Sequence, residues 1–300
     1  MSKRSAALGV ASLILGVLLL WWTDSLGVSS ATASTAAGNQ FPTVVGDAAP
    51  FLTLLLFSAG ASLLVGFGAT ALVRGRVQLE TRLSRIGTTC LLAGVVLSVN
   101  GLTLPWWQFW YQQNGAQLCN GTYVFYPWYL QYSGACPTPP SWIGWWYGSS
   151  SIFPHAGAVA IHASYGVLAA LPLGLAAALV GLRRRSRGPI AGQRARWGFA
   201  LGLAAAAANL GSALYFAAAL PSALSADNGS GASFYPYDSS FWGFTTRAGT
   251  PSVTFYWGPD WTWVLLLLAA AFLLTGATTS YWSLRRGTLS AAPKTPPPGG

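Results

Sequence analysis

Long apolar segments alternate with short polar connections along this 300-residue chain. A bilayer core about 30 Å thick needs about 20 apolar helical residues to cross it, and six segments meet or approach that length. They are residues 6–22, 51–73, 86–106, 156–182, 197–220 and 261–284. The pattern predicts an all-α integral membrane protein with six transmembrane helices in a single domain over residues 1–290. Residues 291–300 are predicted to form a disordered cytoplasmic tail because they contain no core-forming side chains.

Basic residues lie on every second connection between these segments and so predict the orientation. Fifteen of the sixteen Lys and Arg residues fall there, and only Arg247 lies on the other side, together with five of the six acidic residues. Connections rich in Lys and Arg stay in the cytoplasm. Both termini are therefore predicted to be cytoplasmic, and residues 23–50, 107–155 and 221–260 are predicted to be outer loops. Ala and Gly are abundant and Arg outnumbers Lys, as is typical of a GC-rich coding sequence, which indicates a prokaryote. The chain is therefore expected in a prokaryotic plasma membrane.

The first segment has an alternative interpretation. Lys3 and Arg4 precede an apolar run, and Ala31-Thr32-Ala33 resembles the A-x-A site of a cleaved secretory signal. The run continues without a break to Trp22, longer than the 7 to 15 residues of a typical signal core. This favours a retained helix, while a cleaved signal would leave five helices.

Segments one and three share a pattern at a constant offset. The matching positions are Gly9, Gly16 and Trp21-Trp22, and then Gly94, Gly101 and Trp106-Trp107. One explanation is a bundle of three repeated helical hairpins. The other is that outward-running helices need the same residues at the membrane interface.

The second outer loop is the most unusual part of the chain. Residues 105–154 contain seven of the fifteen Trp residues and no Asp, Glu, Lys or Arg. Strand-prone runs occur in all three outer loops, at residues 41–45, 122–126 and 252–257. These runs predict an aromatic-rich, partly β extracytoplasmic cap. Cys119 and Cys136 lie in the second outer loop and are predicted to form a disulfide, with two reduced thiols as the alternative.

Candidate chemistry is sparse. No group of Cys, His, Asp or Glu has metal-ligand spacing, no phosphate-binding glycine motif occurs, and none of the six segments contains a charged residue. No catalytic residue, metal or cofactor is therefore predicted. Nucleic acid is an unfavourable partner because the net charge of +10 comes from residues between apolar segments.

His162 is the exception, because it lies inside the fourth segment. It begins a ridge of small residues at i, i+4 spacing, which predicts that it faces another helix. Asn100 and Asn209 reach a similar depth, so the three residues are a candidate buried polar cluster. Hydrogen bonding between helices is the favoured role, and a ligand or proton site is the alternative.

Aromatic side chains supply much of the contact area in protein interfaces. The sequence thus predicts a non-enzymatic structural or accessory subunit whose outer loops bind other membrane subunits or a second copy. The candidate surface comprises Trp110, Trp128, Trp142, Trp145, Trp146, Trp242 and Trp257. Alternatives are a transporter or channel for a neutral or apolar solute, and a membrane enzyme that uses His162 or an outer-face Asp. The basic cluster of Arg183, Arg184, Arg185 and Arg187 is predicted to contact lipid headgroups.

Overall fold

The computed structural model describes residues 3–37, 48–74, 82–114, 120–135, 141–147, 153–182, 189–229, 240–249 and 252–289. The helices are α1 Lys3–Ala37, α2 Ala48–Arg74, α3 Arg82–Thr103, α4 Pro154–Leu182, α5 Pro189–Gly229 and α6 Trp261–Leu289. The strands are β1 Trp107–Asn114, β2 Asn120–Phe125, β3 Tyr129–Ala135, β4 Ser141–Trp146, β5 Gly243–Arg247 and β6 Ser252–Pro259.

Each of the six helices contains a stretch long and apolar enough to span a membrane. These stretches are Ala6–Thr23, Leu52–Val73, Leu83–Thr103, Pro154–Leu182, Gly192–Asn228 and Trp261–Ser283. The predicted number of such helices is confirmed. Five of the stretches agree with the predicted segments to within a few residues at each end, and the fifth in chain order is longer.

The helix α5 continues well past the predicted end at residue 220. Pro221, the first residue after the predicted segment, lies inside this helix. The added turns are held by packing, because Leu220 and Leu224 are fully buried against the strands. Tertiary burial therefore outweighs the cost of proline in a helix interior, about 3 kcal/mol.

The helices do not pack simply as consecutive hairpins. The most extensive contacts join α1 to α2, α4 to α5, and α3 to α6. Small residues allow the last of these pairs to approach closely: a Cβ atom on Gly87 or Gly276 would lie within 3 Å of the opposite helix. The two helices of each sequential hairpin are in contact, but α3 contacts α6, which is far from it in the chain, more extensively than it contacts α4.

The repeated glycines do share a packing role. Gly9 and Gly16 contact α2, and Gly94 and Gly101 contact α6 in the same way. The paired tryptophans differ, because Trp21 and Trp22 are exposed whereas Trp106 and Trp107 are fully buried. The common pattern therefore reflects close helix packing at the glycines and two different environments at the tryptophans.

All six strands form one antiparallel sheet, which we call the cap sheet, with strand order β4-β3-β2-β1-β6-β5. The predicted strands at 122–126 and 252–257 are present as β2 and β6, while the run at 41–45 lies outside the described residues. The central pair, β1 and β6, continues directly from α3 and into α6. Pairing of these strands therefore also brings the cap ends of α3 and α6 together.

One face of the cap sheet covers the ends of the helices. Its buried side chains are Trp107, Phe109, Phe125, Leu130 and Trp257. They form one cluster with Ala156 of α4 and with Phe216 and Leu220 of α5. Burial of each large aromatic side chain contributes roughly 3 kcal/mol, so this cluster fixes the sheet to the bundle.

The opposite face, which we call the far face, is also covered near its centre. The helix α1 reaches beyond its apolar stretch and contacts β2 and β3. Gln108, Trp110, Thr122 and Val124 are buried on this face. Access to the far face is therefore greatest near the two edges of the sheet.

Candidate functional site: the aromatic edge of the cap

The predicted surface tryptophans divide into two groups. Trp110 and Trp257 are only 8% and 1% exposed, so their assignment to an outer binding surface is wrong. Trp128 is half-buried, and its Nε1 donates a hydrogen bond to the Leu102 carbonyl oxygen (3.1 Å). Trp146 and Trp242 are 68% and 57% exposed. The side chains of Trp142 and Trp145 lie outside the described part of the structure.

Strand register explains this division. Side chains alternate between the two faces of a strand, and Trp257 opposes Phe109 on the face that covers the helices. Trp110 is on the far face but at the sheet centre, where neighbouring strands flank it. The sequence did not reveal these positions because β1, β3, β4 and β5 were not predicted from it.

A stack of aromatic rings runs across the far face from the centre to one edge. Trp110 stacks on Tyr256 with ring centroids 4.0 Å apart, and Tyr256 stacks on Phe244 at 6.1 Å. The register produces the stack, because Phe244, Tyr256 and Trp110 are directly opposed on β5, β6 and β1. Phe244 is 66% exposed. We call Trp242, Phe244 and Tyr256 the aromatic edge.

Charge is scarce around this edge in the part of the chain that the structure describes. Asp227 and Asp260 are the two acidic residues whose side chains the structure describes, and both are buried. Arg247 is exposed at the end of β5. The aromatic edge is thus suited to contact with an uncharged apolar surface.

Asp227 joins the cap ends of α5 and α4. Its carboxylate accepts hydrogen bonds from the backbone N–H groups of His155 (2.9 Å) and Ala156 (2.8 Å), and from His155 Nδ1 (2.7 Å). These are first-turn amides of α4, which have no partner within their own helix. The side chain of His155 is 58% exposed while that of Asp227 is fully buried. The result is an imidazole oriented by a buried carboxylate, which sequence analysis missed because the two residues are far apart in the chain.

Asp260 lies where β6 meets α6. Its Oδ1 accepts a hydrogen bond from the Trp261 N–H (2.6 Å), and its Oδ2 accepts one from Gln108 Nε2 (3.3 Å). Desolvation by burial raises the pKa of this carboxyl to about 8, although the backbone N–H groups of Trp261 and Thr262 act in the opposite direction. The group is therefore a buried acid at the base of the cap.

The predicted polar cluster in the bundle is not assembled as expected. His162 is exposed on α4, with its ring centroid 6.2 Å from that of Tyr165. Asn209 is buried and donates to Ser98 Oγ (2.7 Å). Asn100 is also buried. It is two positions after Ser98 on α3, which places the two side chains about 200° apart around the helix axis, so Asn100 points away from Ser98.

The expectation that His162 faces a neighbouring helix is therefore wrong. Each i, i+4 step advances about 40° around a helix, so the start of a ridge diverges from its later members. Those later members, Ala170, Gly174 and Ala178, are buried as predicted.

Several predicted features lie outside the described residues. They are Cys119 and Cys136, the basic cluster at 183–187, and the tail at 291–300. Cys90 is a buried free thiol. In the ranges that the structure covers, no three His, Cys, Asp or Glu residues are grouped as a metal site would require.

The fold defines a class of multi-pass membrane protein: six helices long and apolar enough to span a membrane, with an antiparallel sheet at one end of the bundle. Neither a known family model nor a curated protein matches the chain.

Proposed function

We propose that this protein is a non-enzymatic subunit of a membrane assembly and that its cap binds a partner on the extracytoplasmic side. The observation that carries the proposal is the exposure of Trp242 and Phe244 at the sheet edge, where an aromatic stack that begins at the buried Trp110 ends. Water contact with these rings is unfavourable. A partner that covers them would gain apolar burial without rearranging the sheet.

Composition of the edge supports binding. Aromatic residues are enriched and acidic residues depleted at the centres of protein interfaces, and the aromatic edge has both properties. Stacking of Phe244 on Tyr256 also restricts the exposed ring. A restricted ring loses less entropy on binding than a free one.

Position favours a partner that is itself a membrane protein. Phe244 is level with Trp110, the fourth residue of β1, and strands rise about 3.3 Å per residue. The edge therefore lies about 10 Å beyond the start of β1. Another subunit in the same membrane, or a second copy of this chain, would reach it with its own outer segments.

A photoreactive amino acid at position 244 tests this proposal in cells of the source organism. We expect crosslinks to a protein partner, and we expect Phe244→Ser to lower recovery of that partner about tenfold or more, as for an interface hot spot. As a matched control, the same two changes are made at Trp282, which is 53% exposed near the other end of α6. Crosslinks from position 244 to lipid alone, or unchanged recovery with Phe244→Ser, would refute the proposal.

A membrane enzyme is the second candidate, and the paired His155 and Asp227 favour it. A buried carboxylate that orients an exposed imidazole is an arrangement used by general bases. Hydrolysis of a lipid ester by purified protein, abolished by His155→Gln and unaffected by Phe244→Ser, would support this candidate. Equal rates for the wild type and His155→Gln would remove it.

A further inference from the structure

The carboxyl group of Asp260 is enclosed where the cap sheet joins the bundle. The residue is 5% exposed, and its neighbour Gln108 is fully buried. The Asp260 N–H donates to the Trp106 carbonyl oxygen (2.9 Å), which extends the pairing of β1 and β6 as far as the helices. A change in the charge of this side chain therefore acts at the joint between sheet and helices.

Positive charge does not compensate this carboxyl within the described residues. Burial and two backbone N–H groups act on the pKa of Asp260, and no Lys, Arg or His side chain contributes to its shift. Tyr126, which follows β2 and is hydrogen-bonded to Tyr129, is a titratable group that interacts electrostatically with Asp260. Gln108 faces the Asp260 carboxyl from β1, and the first N–H groups of α6 point towards the same carboxyl. These groups are neutral dipoles, and a buried carboxylate with only such partners is costly.

Gln108 also provides an acceptor that has no partner among the described residues, namely its Oε1 atom. In the structure, Gln108 Nε2 donates to Asp260 Oδ2, an arrangement that suits the ionised carboxylate. After protonation, rotation of the amide would allow the Asp260 hydroxyl to donate to Oε1. The same two side chains can therefore accommodate both charge states, with one hydrogen bond between them in each.

We propose that Asp260 is a reversible proton-binding site, neutral at physiological pH, and that its ionisation loosens the joint between the cap sheet and α6. The direction follows from its raised pKa. The folded joint binds the proton more tightly than the opened one, whose Asp has an ordinary pKa near 3.8. Stability of the joint thus falls as pH rises from about 4 to about 8 and changes little above that.

Infrared spectroscopy of the full chain with ¹³C-labelled aspartate tests the charge state directly. We expect one protonated carboxyl band at pH 7 that disappears with a midpoint near 8, that is absent from Asp260→Asn, and that persists in Asp227→Asn. Gln108→Leu should shift the midpoint upward because the carboxylate loses its N–H donor. Ionisation of the Asp260 carboxyl below pH 5 would overturn the proposal. Binding of Ca²⁺ or Na⁺ in place of its proton at pH 7 would also overturn it.

Hydrogen exchange tests the mechanical consequence. The protection of β6 and first-turn α6 amides in the wild type, divided by that in Asp260→Asn at the same pH, should fall about tenfold per pH unit between pH 5 and 7 and less steeply near pH 8. Taking this ratio removes the intrinsic pH dependence of exchange. A constant ratio would show that the proton does not control the joint. If Asp260→Asn fails to fold, Gln108→Leu provides the comparison, and its decline should extend to a higher pH than that of the wild type.

Discussion

At the residue scale, single polar side chains at the cap end serve the ends of helices. Asp227 is the clearest case, because it satisfies two first-turn amides of α4 from a different helix. The residue before Pro154 is Phe153, which has no side-chain acceptor for this purpose. The sequence of α4 alone would therefore suggest an uncapped start.

Replacement of Asp227 by Ala should destabilise the start of α4 by about 2 kcal/mol, at the upper end of the range for a lost helix cap. The physical reason is that two buried amides lose their acceptor. Hydrogen exchange at His155 and Ala156 should accelerate most, and thermal unfolding in detergent should shift downward.

The comparison variant is His155→Ala, which removes an exposed ring but leaves both backbone hydrogen bonds to Asp227 in place. It should have the smaller effect on exchange. Equal destabilisation by the two variants would contradict a capping role for Asp227.

At the scale of elements, close contact between helices depends on particular glycines and not on glycine content. In α2, a Cβ atom on Gly66 would lie 2.5 Å from the Thr89 carbonyl oxygen of α3, whereas one on Gly60 would meet nothing within 4 Å. Both residues occupy similar positions in the sequence pattern.

Gly66→Ala should therefore separate α2 from α3 and lower stability by about 1 to 3 kcal/mol, the usual cost of overpacking. Gly60→Ala should leave stability unchanged or raise it slightly, since alanine is the better helix former. Thermal unfolding in the same detergent compares the two variants. A greater loss with Gly60→Ala would show that this helix contact is wrong.

Strand register bears on the two cysteines, whose disulfide remains a prediction. Asn120 of β2 opposes Ala135 of β3, and Cys119 and Cys136 are the neighbours of these two residues in the sequence. Directly opposed residues in an antiparallel pair have Cα atoms about 4.5 to 5.5 Å apart, a separation that a disulfide can bridge.

We expect non-reducing mass spectrometry to find Cys119 linked to Cys136. The bridge should stabilise the cap by about 3 kcal/mol in the chain-entropy model, so the double Ser variant should be cleaved faster by protease added outside. Alkylation of both thiols in freshly isolated membranes would exclude the bridge. Cys90 is the internal control, because burial should slow its alkylation.

At the scale of the whole molecule, the proposed orientation depends on the charges between helices. All six strands lie on the side that is poor in basic residues, and the connections rich in Arg lie on the other. The positive-inside rule therefore predicts that the cap lies outside the cell.

Engineered cysteines test this orientation. In intact cells, an impermeant reagent should label Ser150→Cys and Ser239→Cys but not Ser186→Cys or Ser290→Cys, because only the first pair is predicted to lie in outer loops. Permeabilised cells should allow labelling of the second pair. The reverse pattern in intact cells would invert the topology.

The sequence by itself determined the number and approximate bounds of the apolar helices, the presence of a partly β cap and its abundance of tryptophan. These features follow from local pattern, since about 20 apolar residues suffice for a span and β-branched and aromatic runs favour strands. The burial of individual side chains, in contrast, does not follow from local pattern. Trp257 became core and Phe244 became surface only through their places in the register.

Tertiary structure decided which distant residues meet. Pairing of β1 with β6 brought α3 next to α6, packing against the sheet carried α5 past Pro221, and Asp227 reached His155 across the cap end of the bundle. His162 was left exposed for the same reason, because the helix packing rotates it away from its neighbours. Such contacts join residues far apart in the chain, and their free energies depend on geometry that no local pattern specifies.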